Sequence, residues 1–382
     1  MPSTPLKNVL YRLALPVHAP RLPSSAVHAP QGHPLTFQAQ YSRVLCRHRV
    51  QGSATLIASG RDTSLLLSDS VLTNTVPASS SLFRVASITK MFVAASVMRL
   101  KDQGLLDPDA PVSGYLRDAV PPDLLAGITL RHLLSHTSGI EDRLDLEPFL
   151  LREAPLSDLL PVCRVSDPGC FRYSNLGYGI VGCVLEAVCN QPVTEIIRQQ
   201  VLIPLSLRAA LGSHTLPEEE IIPVARILPW RGKTLRTTPV GRKPLTAADP
   251  ARHYGHTAGS LYITPDSLFT FLTAFRDADP RLISGESRQE MLRVHARYGK
   301  LSPTLSYGLG LLFIGDPRLS SSRIIGHQGF AYGCADGAFY EESTGRVMIT
   351  LNGGCSEARD HRLGLCNRDL LRLTLRKELP SW

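Results

Sequence analysis

The sequence predicts a mixed α/β protein in which a sheet is flanked by helices from the two ends of the chain and carries an inserted helical region. Two observations lead to this fold class. Strand-like segments with turn signals occur near residue 60 and again after residue 300. Between them, from Met91 to about Ser206, hydrophobic residues recur at helical spacing. We therefore expect one domain over residues 36–382, with an α/β part (36–90 and 260–382) and a helical part (91–259).

The first elements can be taken in order from the N-terminal end. Residues 1–35 contain seven prolines, and this density argues against a helix or a central strand, so we expect an extended arm. A helix is predicted from Phe37 to His48, where apolar residues fall at helical spacing. Ser53–Ala58 and Ser64–Ser68, separated by a turn that contains Gly60, predict a β-hairpin.

A buried central helix and several peripheral elements follow. Met91 to Met98 is apolar nearly all round, which is typical of a buried helix. The further predicted helices are Leu176–Val188, Val193–Leu202, Pro265–Phe275 and Asn367–Arg376. The predicted strands are Gly308–Ile314, Arg323–Gly326, Gly337–Tyr340 and Val347–Leu351. The segment from Gly212 to Tyr254, rich in Pro, Arg and Thr, gives no clear pattern.

Composition indicates a globular protein without a nucleic-acid partner. The 382 residues are 43% hydrophobic and 19% charged, which is ordinary for a chain with a sizeable core. The net charge is +8, but the arginines are scattered and no recognised nucleic-acid motif appears. The densest basic cluster surrounds Trp230, and we interpret it as a solvated loop rather than a polyanion site. It contains Arg226, Arg231, Lys233, Arg236, Arg242 and Lys243.

The cysteines and the N-terminal residues bear on cofactors and location. The eight cysteines form no Cys-x-x-Cys pair, so we expect no metal and no redox cofactor. Arg12 and Pro16 interrupt the apolar run from Val9 to Val17, which makes it a poor signal-peptide core. No stretch approaches the roughly 20 apolar residues of a membrane span. We therefore expect a cytoplasmic protein with no membrane partner, and leave its oligomeric state open.

Ser87 and Lys90 form the most informative pair in the chain. One turn of helix places residues three apart on the same face, so Lys90 is expected beside Ser87. A serine hydroxyl must lose its proton before it can attack, and burial lowers a lysine pKa toward the value that a proton acceptor needs. Ser-x-x-Lys alone is a weak signal, yet Lys90 is the only lysine with a serine three positions before it. The pattern predicts an active-site serine hydrolase.

Several segments in the same order resemble the class C β-lactamases and penicillin-binding-protein-like serine hydrolases. They are Phe83–Lys90, Leu105–Val112, Ile128–Gly139, Phe171–Gly179, Ser306–Gly310 and Gly326–Gly329. The resemblance spans roughly residues 50 to 355. It implies the antiparallel sheet of the β-lactamase/transpeptidase fold and hydrolysis through an acyl-enzyme on Ser87.

The resemblance also implies roles for residues that lie far apart in the sequence. Tyr173 matches a family tyrosine whose phenol faces the serine and the lysine, so Ser87, Lys90 and Tyr173 would form one catalytic unit. Whether Lys90 or Tyr173 accepts the serine proton stays open. Asn175 would hydrogen-bond Lys90 and the substrate, and the backbone N–H groups of Ser87 and Phe330 would form the oxyanion hole.

His327-Gln328-Gly329 stands where the penicillin-recognising relatives carry Lys-Thr-Gly. Gly329 would permit close approach of the substrate. His327 removes the permanent cation that would hold a substrate carboxylate. His132 and His136 have the spacing of a zinc-protease helix, but the glutamate of that motif is missing, so both are expected to be scaffold.

These observations predict a hydrolase of esters or small amides, with an esterase as the first reading. A D-amino-acid-specific peptidase and a weak β-lactamase remain alternatives. A further alternative is a non-catalytic binding protein of the same fold. The expected partner is a small-molecule ester or amide.

Overall fold

The computed structural model describes Val9, Leu13 and residues 26–28, 34–143, 155–228, 231–245, 255–299 and 302–375. Most of the predicted N-terminal arm, together with Trp230 and Arg376, lies outside the described residues.

An antiparallel sheet forms the centre of the protein, as the resemblance implied. Within the described ranges it has nine strands: β1 (Val27–His28), β2 (Ser53–Ser59), β3 (Asp62–Ser68), β9 (Ala296–Arg297), β10 (Leu305–Tyr307), β11 (Leu312–Ile314), β12 (Ile324–Ala331), β13 (Cys334–Glu341) and β14 (Val347–Asn352). Their order across the sheet is β1-β3-β2-β14-β13-β12-β11-β10-β9. The shorter strands are β4 (Phe83–Arg84), β5 (Ala209–Leu211), β6 (Ala225–Leu228), β7 (Lys233–Arg236), β8 (Leu261–Ile263), β15 (Arg359–Asp360) and β16 (Leu363–Gly364).

Helices cover both faces of this sheet. Those in the described ranges are α1 (Leu35–His48), α2 (Thr89–Asp102), α3 (Val112–Tyr115), α4 (Leu130–Leu134), α5 (Leu156–Cys163), α6 (Asn175–Cys189), α7 (Val193–Ile197), α8 (Gly255–Gly259), α9 (Pro265–Arg276), α10 (Gly285–Leu292) and α11 (Leu365–Thr374). Short 3₁₀ turns occur at Ala86–Ile88, Pro122–Leu125 and Glu218–Glu220, and a π-helical turn at Arg198–Leu202.

Each face of the sheet has its own hydrophobic core, because successive side chains of a strand point to opposite faces. Ile57 and Met348 pack with the apolar residues of the terminal helices α1 and α11. Their sequence neighbours Leu56 and Ile349 pack with those of α2 and α6. The sheet therefore lies between the terminal helices and the inserted helical region, which confirms the predicted architecture.

The strongly periodic helices are confirmed. Those predicted at Phe37–His48, Leu176–Val188 and Pro265–Phe275 are α1, α6 and α9, and each is longer by one or two residues. The helix predicted from Val193 to Leu202 ends as α7 at Ile197 and continues as the π-helical turn. The region predicted to be helical also holds β5 and the β6–β7 hairpin, which carries part of the basic cluster.

The strand predicted at Gly308–Ile314 is wrong in its first half. Gly308 begins a turn between β10 and β11, in which its N–H donates to the carbonyl of Leu311 at 2.8 Å. Gly310 has a φ of +71°, and a Cβ there would lie 2.5 Å from the Cβ of Ala94 on α2. Glycine is required at residue 310 because a side chain there would collide with the central helix.

Strand β12 extends beyond the predicted Arg323–Gly326. It runs from Ile324 to Ala331, but only Ile324–Gly326 pairs with β11. From His327 onward, one edge of β12 has no partner strand among the described residues. Strand β12 also lies against the turn that contains Ser87, since a Cβ at Gly329 would meet Val85 and Ala86.

In the part of the chain that the structure describes, no single helix is long and apolar enough to cross a membrane. Two consecutive helical segments, Asn175–Cys189 and Val193–Leu202, are together long and apolar enough by length and composition, but the chain bends by 85° between them.

Candidate active site

Ser87 lies in the 3₁₀ turn Ala86–Ile88, which leads directly into α2. Ala86 has a φ of +46°, a backbone conformation that a side chain disfavours. The hydroxyl of Thr89 donates to the carbonyl of Ala86 at 2.6 Å and accepts from the N–H of Leu261 at 3.1 Å. These bonds fasten the turn to β8 and hold Ser87 at the start of the central helix.

Lys90 lies in the first turn of α2 and is fully buried. Its Nζ contacts three oxygen atoms: Oγ of Ser87 at 3.0 Å, Oδ1 of Asn175 at 2.8 Å and the carbonyl of Ala258 at 2.6 Å. Burial lowers the pKa of Lys90 to about 7, because the ammonium has lost its water, and the carboxylate of Asp142 opposes this shift. Near neutral pH a large fraction of Lys90 is therefore an uncharged amine.

The three neighbours of Lys90 decide where its lone pair points. A neutral amine has two hydrogens to donate and one lone pair. The carbonyl of Ala258 and Oδ1 of Asn175 are acceptors only, so they take the two hydrogens. The lone pair is left for the hydroxyl of Ser87, which is the one neighbour that can donate.

Tyr173 contacts Ser87 through its phenol, whose oxygen lies 2.9 Å from Oγ of Ser87. Burial raises the pKa of Tyr173 well above its usual value, although the hydrogen bond to Ser87 acts in the opposite direction. Nζ of Lys90 lies 5.2 Å from the centroid of the Tyr173 ring. Tyr173 thus keeps its proton over the pH range in which Lys90 titrates.

Asn175 begins α6 and links Lys90 to a residue that the sequence did not reveal. Its Nδ2 donates to Oδ2 of Asp142 at 2.8 Å, while its Oδ1 accepts from Lys90. Asp142 lies in the loop after α4, 33 positions before Asn175 in the sequence. A single acidic residue in a loop carries no sequence signal of such a contact.

A second unpredicted contact places an aromatic cluster behind Tyr173. The ring centroid of His136 lies 4.2 Å from that of Tyr173, 5.2 Å from that of Tyr178 and 4.8 Å from that of Tyr307. Nδ1 of His136 accepts from the N–H of Ser174 at 3.1 Å. Burial, and then the charge of Lys90, hold the pKa of His136 well below its usual value, so it stays neutral.

The two histidines with zinc-protease spacing have separate roles. Nδ1 of His132 accepts from the N–H of Thr129 at 3.2 Å, at the start of α4. His136 follows α4 in the left-handed conformation, with a φ of +60°. Both therefore support the local structure through hydrogen bonds within the chain.

His327 lies on β12, is 2% exposed, and uses both ring nitrogens inside the protein. Its Nδ1 donates to the carbonyl of Gln328 at 2.6 Å, and its Nε2 accepts from the hydroxyl of Tyr307 at 2.6 Å. Burial, and then the charge of Lys90, lower the pKa of His327 to about 3. His327 therefore supplies no permanent cation on this strand.

Gly329 brings β12 against the turn of Ser87. A Cβ at residue 329 would lie 2.2 Å from the carbonyl oxygen of Val85 and 3.2 Å from the Cβ of Ala86. The missing side chain is thus required by packing within the protein, in addition to any approach of a substrate. Phe330 follows on the open edge of β12, and the guanidinium carbon of Arg359 lies 3.8 Å from its ring centroid.

The site residues predicted from the sequence come together at this place. Ser87, Lys90, Tyr173 and Asn175 are joined by direct hydrogen bonds, and His327 and Gly329 lie on the adjacent strand. The residues that sequence reasoning missed are Asp142, Tyr307 and Arg359, and for His136 it gave a scaffold role without the ring contact to Tyr173. Their contacts are tertiary and leave no spacing pattern in the sequence.

Curated relatives match parts of this chain. The putative penicillin-binding protein PbpX of Bacillus subtilis (strain 168) is 26% identical over 211 residues, covering 55% of this chain and 49% of that protein. The esterase EstB of Burkholderia gladioli is 33% identical over 163 residues, covering 37% of this chain and 41% of that protein. The chain thus spans about half the length of these relatives or less.

Solved structures share the fold over most of the chain. The D-amino acid amidase from Ochrobactrum anthropi SV3, complexed with L-phenylalanine, superposes with a TM-score of 0.70 at 24% identity, covering 88% of this chain and 97% of that one. The octameric penicillin-binding protein homologue from Pyrococcus abyssi gives a TM-score of 0.69 at 20% identity, covering 84% and 73%. At these identities the likeness shows the fold alone.

A family-level match covers the site and most of the fold. The family model described as Beta-lactamase matches residues 37–361. This range is well over half of the chain and includes every residue of the site described above. The chain therefore belongs to the β-lactamase family.

Proposed function

We propose that this chain is a serine hydrolase that cleaves esters or small amides through an acyl-enzyme on Ser87. The observation that carries the proposal is the pair of contacts at Oγ of Ser87, to the buried Nζ of Lys90 at 3.0 Å and to the phenol of Tyr173 at 2.9 Å. A proton acceptor and a proton donor on one hydroxyl are the parts that nucleophilic catalysis by serine requires. The family, with relatives named esterase and penicillin-binding protein, supports the same reaction class.

In the acylation step, Lys90 accepts the proton of Ser87 while Oγ forms a bond to the substrate carbonyl carbon. The carbonyl π electrons move to oxygen, and the backbone N–H groups of Ser87 and Phe330 would stabilise this oxyanion. When the carbonyl re-forms, the bond to the leaving alcohol or amine breaks. Tyr173 donates a proton to the leaving atom, and the proton held by Lys90 replaces it.

In the deacylation step, water attacks the acyl carbon and gives up a proton to the neutral amine of Lys90. The second oxyanion forms in the same place as the first. Its collapse breaks the bond to Oγ, and Ser87 regains its proton from Lys90. Lys90 is the base in both steps because its pKa is lowered while that of Tyr173 is raised.

We expect kcat/KM for a neutral ester to rise with pH through a pKa of about 7 and then to level off. The protonated form of Lys90 cannot accept a proton, so activity is lost as the pH falls through the lysine pKa. His136 and His327 stay neutral in this range and add no further step. A pH–rate profile with a short-chain nitrophenyl ester measures this fall of kcat/KM at low pH, the acid limb of the profile. A profile without a limb near pH 7, or with one near the usual lysine value of about 10.4, would contradict the assignment of Lys90 as the base.

The neutral state of His327 leads to a prediction about substrate charge. A lost charge-assisted hydrogen bond costs a carboxylate-bearing substrate about 1.5–3 kcal/mol. We expect kcat/KM for a short neutral ester to exceed that for a chromogenic cephalosporin by about one to two orders of magnitude, since a cephalosporin carries a carboxylate and each 1.4 kcal/mol is about tenfold. His327→Lys should narrow the gap.

The controls separate the charge of residue 327 from other charges at the site. Arg359→Gln removes the guanidinium that lies over Phe330. The ratio of kcat/KM for the neutral ester to kcat/KM for the cephalosporin is then measured again in this variant. Efficient cephalosporin hydrolysis by the wild type would refute the preference for neutral esters. An unchanged ratio in His327→Lys would refute the role of His327 alone. Including D-amino-acid amides in the panel tests whether small amides are cleaved as well as esters.

A further inference from the structure

Asp142 gathers four hydrogen-bond donors at the start of α6. The hydroxyl of Ser174 and the N–H of Leu176 each donate to its Oδ1 at 3.1 Å. The N–H of Asn175 lies 2.9 Å from both carboxylate oxygens, and Nδ2 of Asn175 donates to Oδ2 at 2.8 Å. Two of these donors are the first N–H groups of a helix, where the helix dipole favours a negative charge.

This carboxylate determines the orientation of the Asn175 amide. A carboxylate only accepts, so Asn175 must turn Nδ2 toward Asp142 and Oδ1 toward Nζ of Lys90. In the flipped amide, Oδ1 would face the carboxylate and Nδ2 would face the amine. Both contacts of the flipped amide would be repulsive while Lys90 donates. The contact with Asp142 therefore determines that Oδ1 of Asn175, and not Nδ2, faces Lys90.

We propose that Asp142 is a positioning residue of the active site, which acts through Asn175 to direct the lone pair of Lys90 toward Ser87. The inference rests on the proposed function, in which Lys90 accepts the serine proton. Asn175 takes one hydrogen of the neutral amine and the carbonyl of Ala258 takes the other. If the amide of Asn175 turned over, Lys90 would point its lone pair at Nδ2, and Ser87 would lose its proton acceptor.

Capping of α6 does not by itself account for this arrangement. Ser174 already caps the helix, since its Oγ accepts from the N–H of Gly177 at 3.0 Å. The bond that capping leaves unexplained is the one from Nδ2 of Asn175 to Asp142, which lies on the side-chain path to Lys90.

The charge of Asp142 gives the proposal a second readout. Burial is the main cause of the lowered pKa of Lys90, and the Asp142 carboxylate raises that pKa in part. The other titratable groups around Lys90 are uncharged near neutral pH: Tyr173, Tyr178, His136 and His327. Removal of the Asp142 charge should therefore lower the pKa of Lys90 further.

The test compares Asp142→Asn with Glu141→Gln, which removes the same charge from the adjacent residue. The carboxylate of Glu141 faces Arg143 and Arg172 at 3.7 and 3.8 Å. For Asp142→Asn we expect kcat on a neutral ester at high pH to fall about tenfold or more, because the proton acceptor is misdirected. We also expect the acid limb of kcat/KM to move to lower pH by about 0.5 unit or more. Glu141→Gln should leave both quantities close to wild type.

Circular dichroism and thermal melting establish whether each variant folds. If Asp142→Asn does not fold, Asp142→Ser replaces it, because serine retains a capping oxygen but cannot hold the Asn175 amide as a carboxylate does. A lower rate with an unmoved acid limb, or a moved limb with an undiminished rate, would overturn the proposal. If neither Asp142→Asn nor Asp142→Ser folds, Asp142 is needed for the stability of α6, and the proposal is overturned as well.

The wild-type enzyme separates this inference from the proposed function. If a fluorophosphonate labels Ser87 of the wild type and the profile of Asp142→Asn is unmoved, only the role of Asp142 fails. If Ser87 of the wild type is not labelled, the proposed function itself fails.

Discussion

Ser87→Ala is expected to lower kcat for a neutral ester by roughly 10⁴-fold or more while the protein stays folded. The substitution removes the one oxygen that contacts both Nζ of Lys90 and the phenol of Tyr173. No other atom is then placed between the proton acceptor and the proton donor. Steady-state kinetics on the purified variant measure the loss, and thermal melting checks the fold.

Ser96→Ala is the matched control for this substitution. Ser96 lies on the same helix α2, and its hydroxyl donates to the carbonyl of Phe92 at 3.0 Å. It should retain activity near that of the wild type, because it takes no part in proton transfer. Substantial activity in Ser87→Ala, or an equal loss in Ser96→Ala, would show that the nucleophile is another group.

Lys90→Met and Tyr173→Phe are each expected to lower kcat by roughly 10³-fold or more, and the double variant should be scarcely worse than the poorer single variant. Both groups contact Oγ of Ser87 and belong to one proton cycle, in which Lys90 takes the serine proton and then restores the proton that Tyr173 has given to the leaving atom, so the loss of one removes most of the benefit of the other. Methionine is chosen because an unbranched apolar side chain fills the buried space that Lys90 occupies. Kinetics of the four enzymes form a double-mutant cycle.

Lys101→Met provides the control for the lysine substitution. Lys101 also lies on α2, and its Nζ is 3.5 Å from carboxylate oxygens of Glu286 and Glu290. Its replacement should leave kcat within a few fold of the wild type. Losses that multiply in the Lys90→Met/Tyr173→Phe variant would mean that the two groups act independently, which contradicts a single proton-transfer unit.

The sequence predicted the parts of the fold and the site that depend on local pattern. The apolar run after Lys90 predicts a buried helix because no polar face interrupts it, and α2 is buried from Thr89 to Met98. Ser87 and Lys90 were placed together by one turn of helix, and the structure gives 3.0 Å between Oγ and Nζ. The position of the strand that carries His327 and Gly329 beside the serine is implied by the family resemblance rather than by local pattern.

The parts that could not be predicted depend on tertiary contacts. Asp142 reaches Asn175 only because the loop after α4 folds over the start of α6. The turn at Gly310 lies so close to α2 that only glycine fits there, and this contact leaves no local pattern in the sequence. The sequence predicts no permanent cation at His327, but the lowering of its pKa to about 3 follows from burial and the charge of Lys90, which its neighbours in the sequence do not indicate.

Intact-mass analysis after treatment with a fluorophosphonate tests the central claim, that Ser87 is the nucleophile, most directly. The reagent forms a stable covalent adduct with an activated serine and so reports the attacking atom itself. We expect one adduct on the wild type, mapped to Ser87 by peptide sequencing, and none on Ser87→Ala, with labelling that slows as the pH falls through about 7 as Lys90 becomes protonated. An adduct on another serine, or an equal adduct on Ser87→Ala, would contradict the assignment of Ser87.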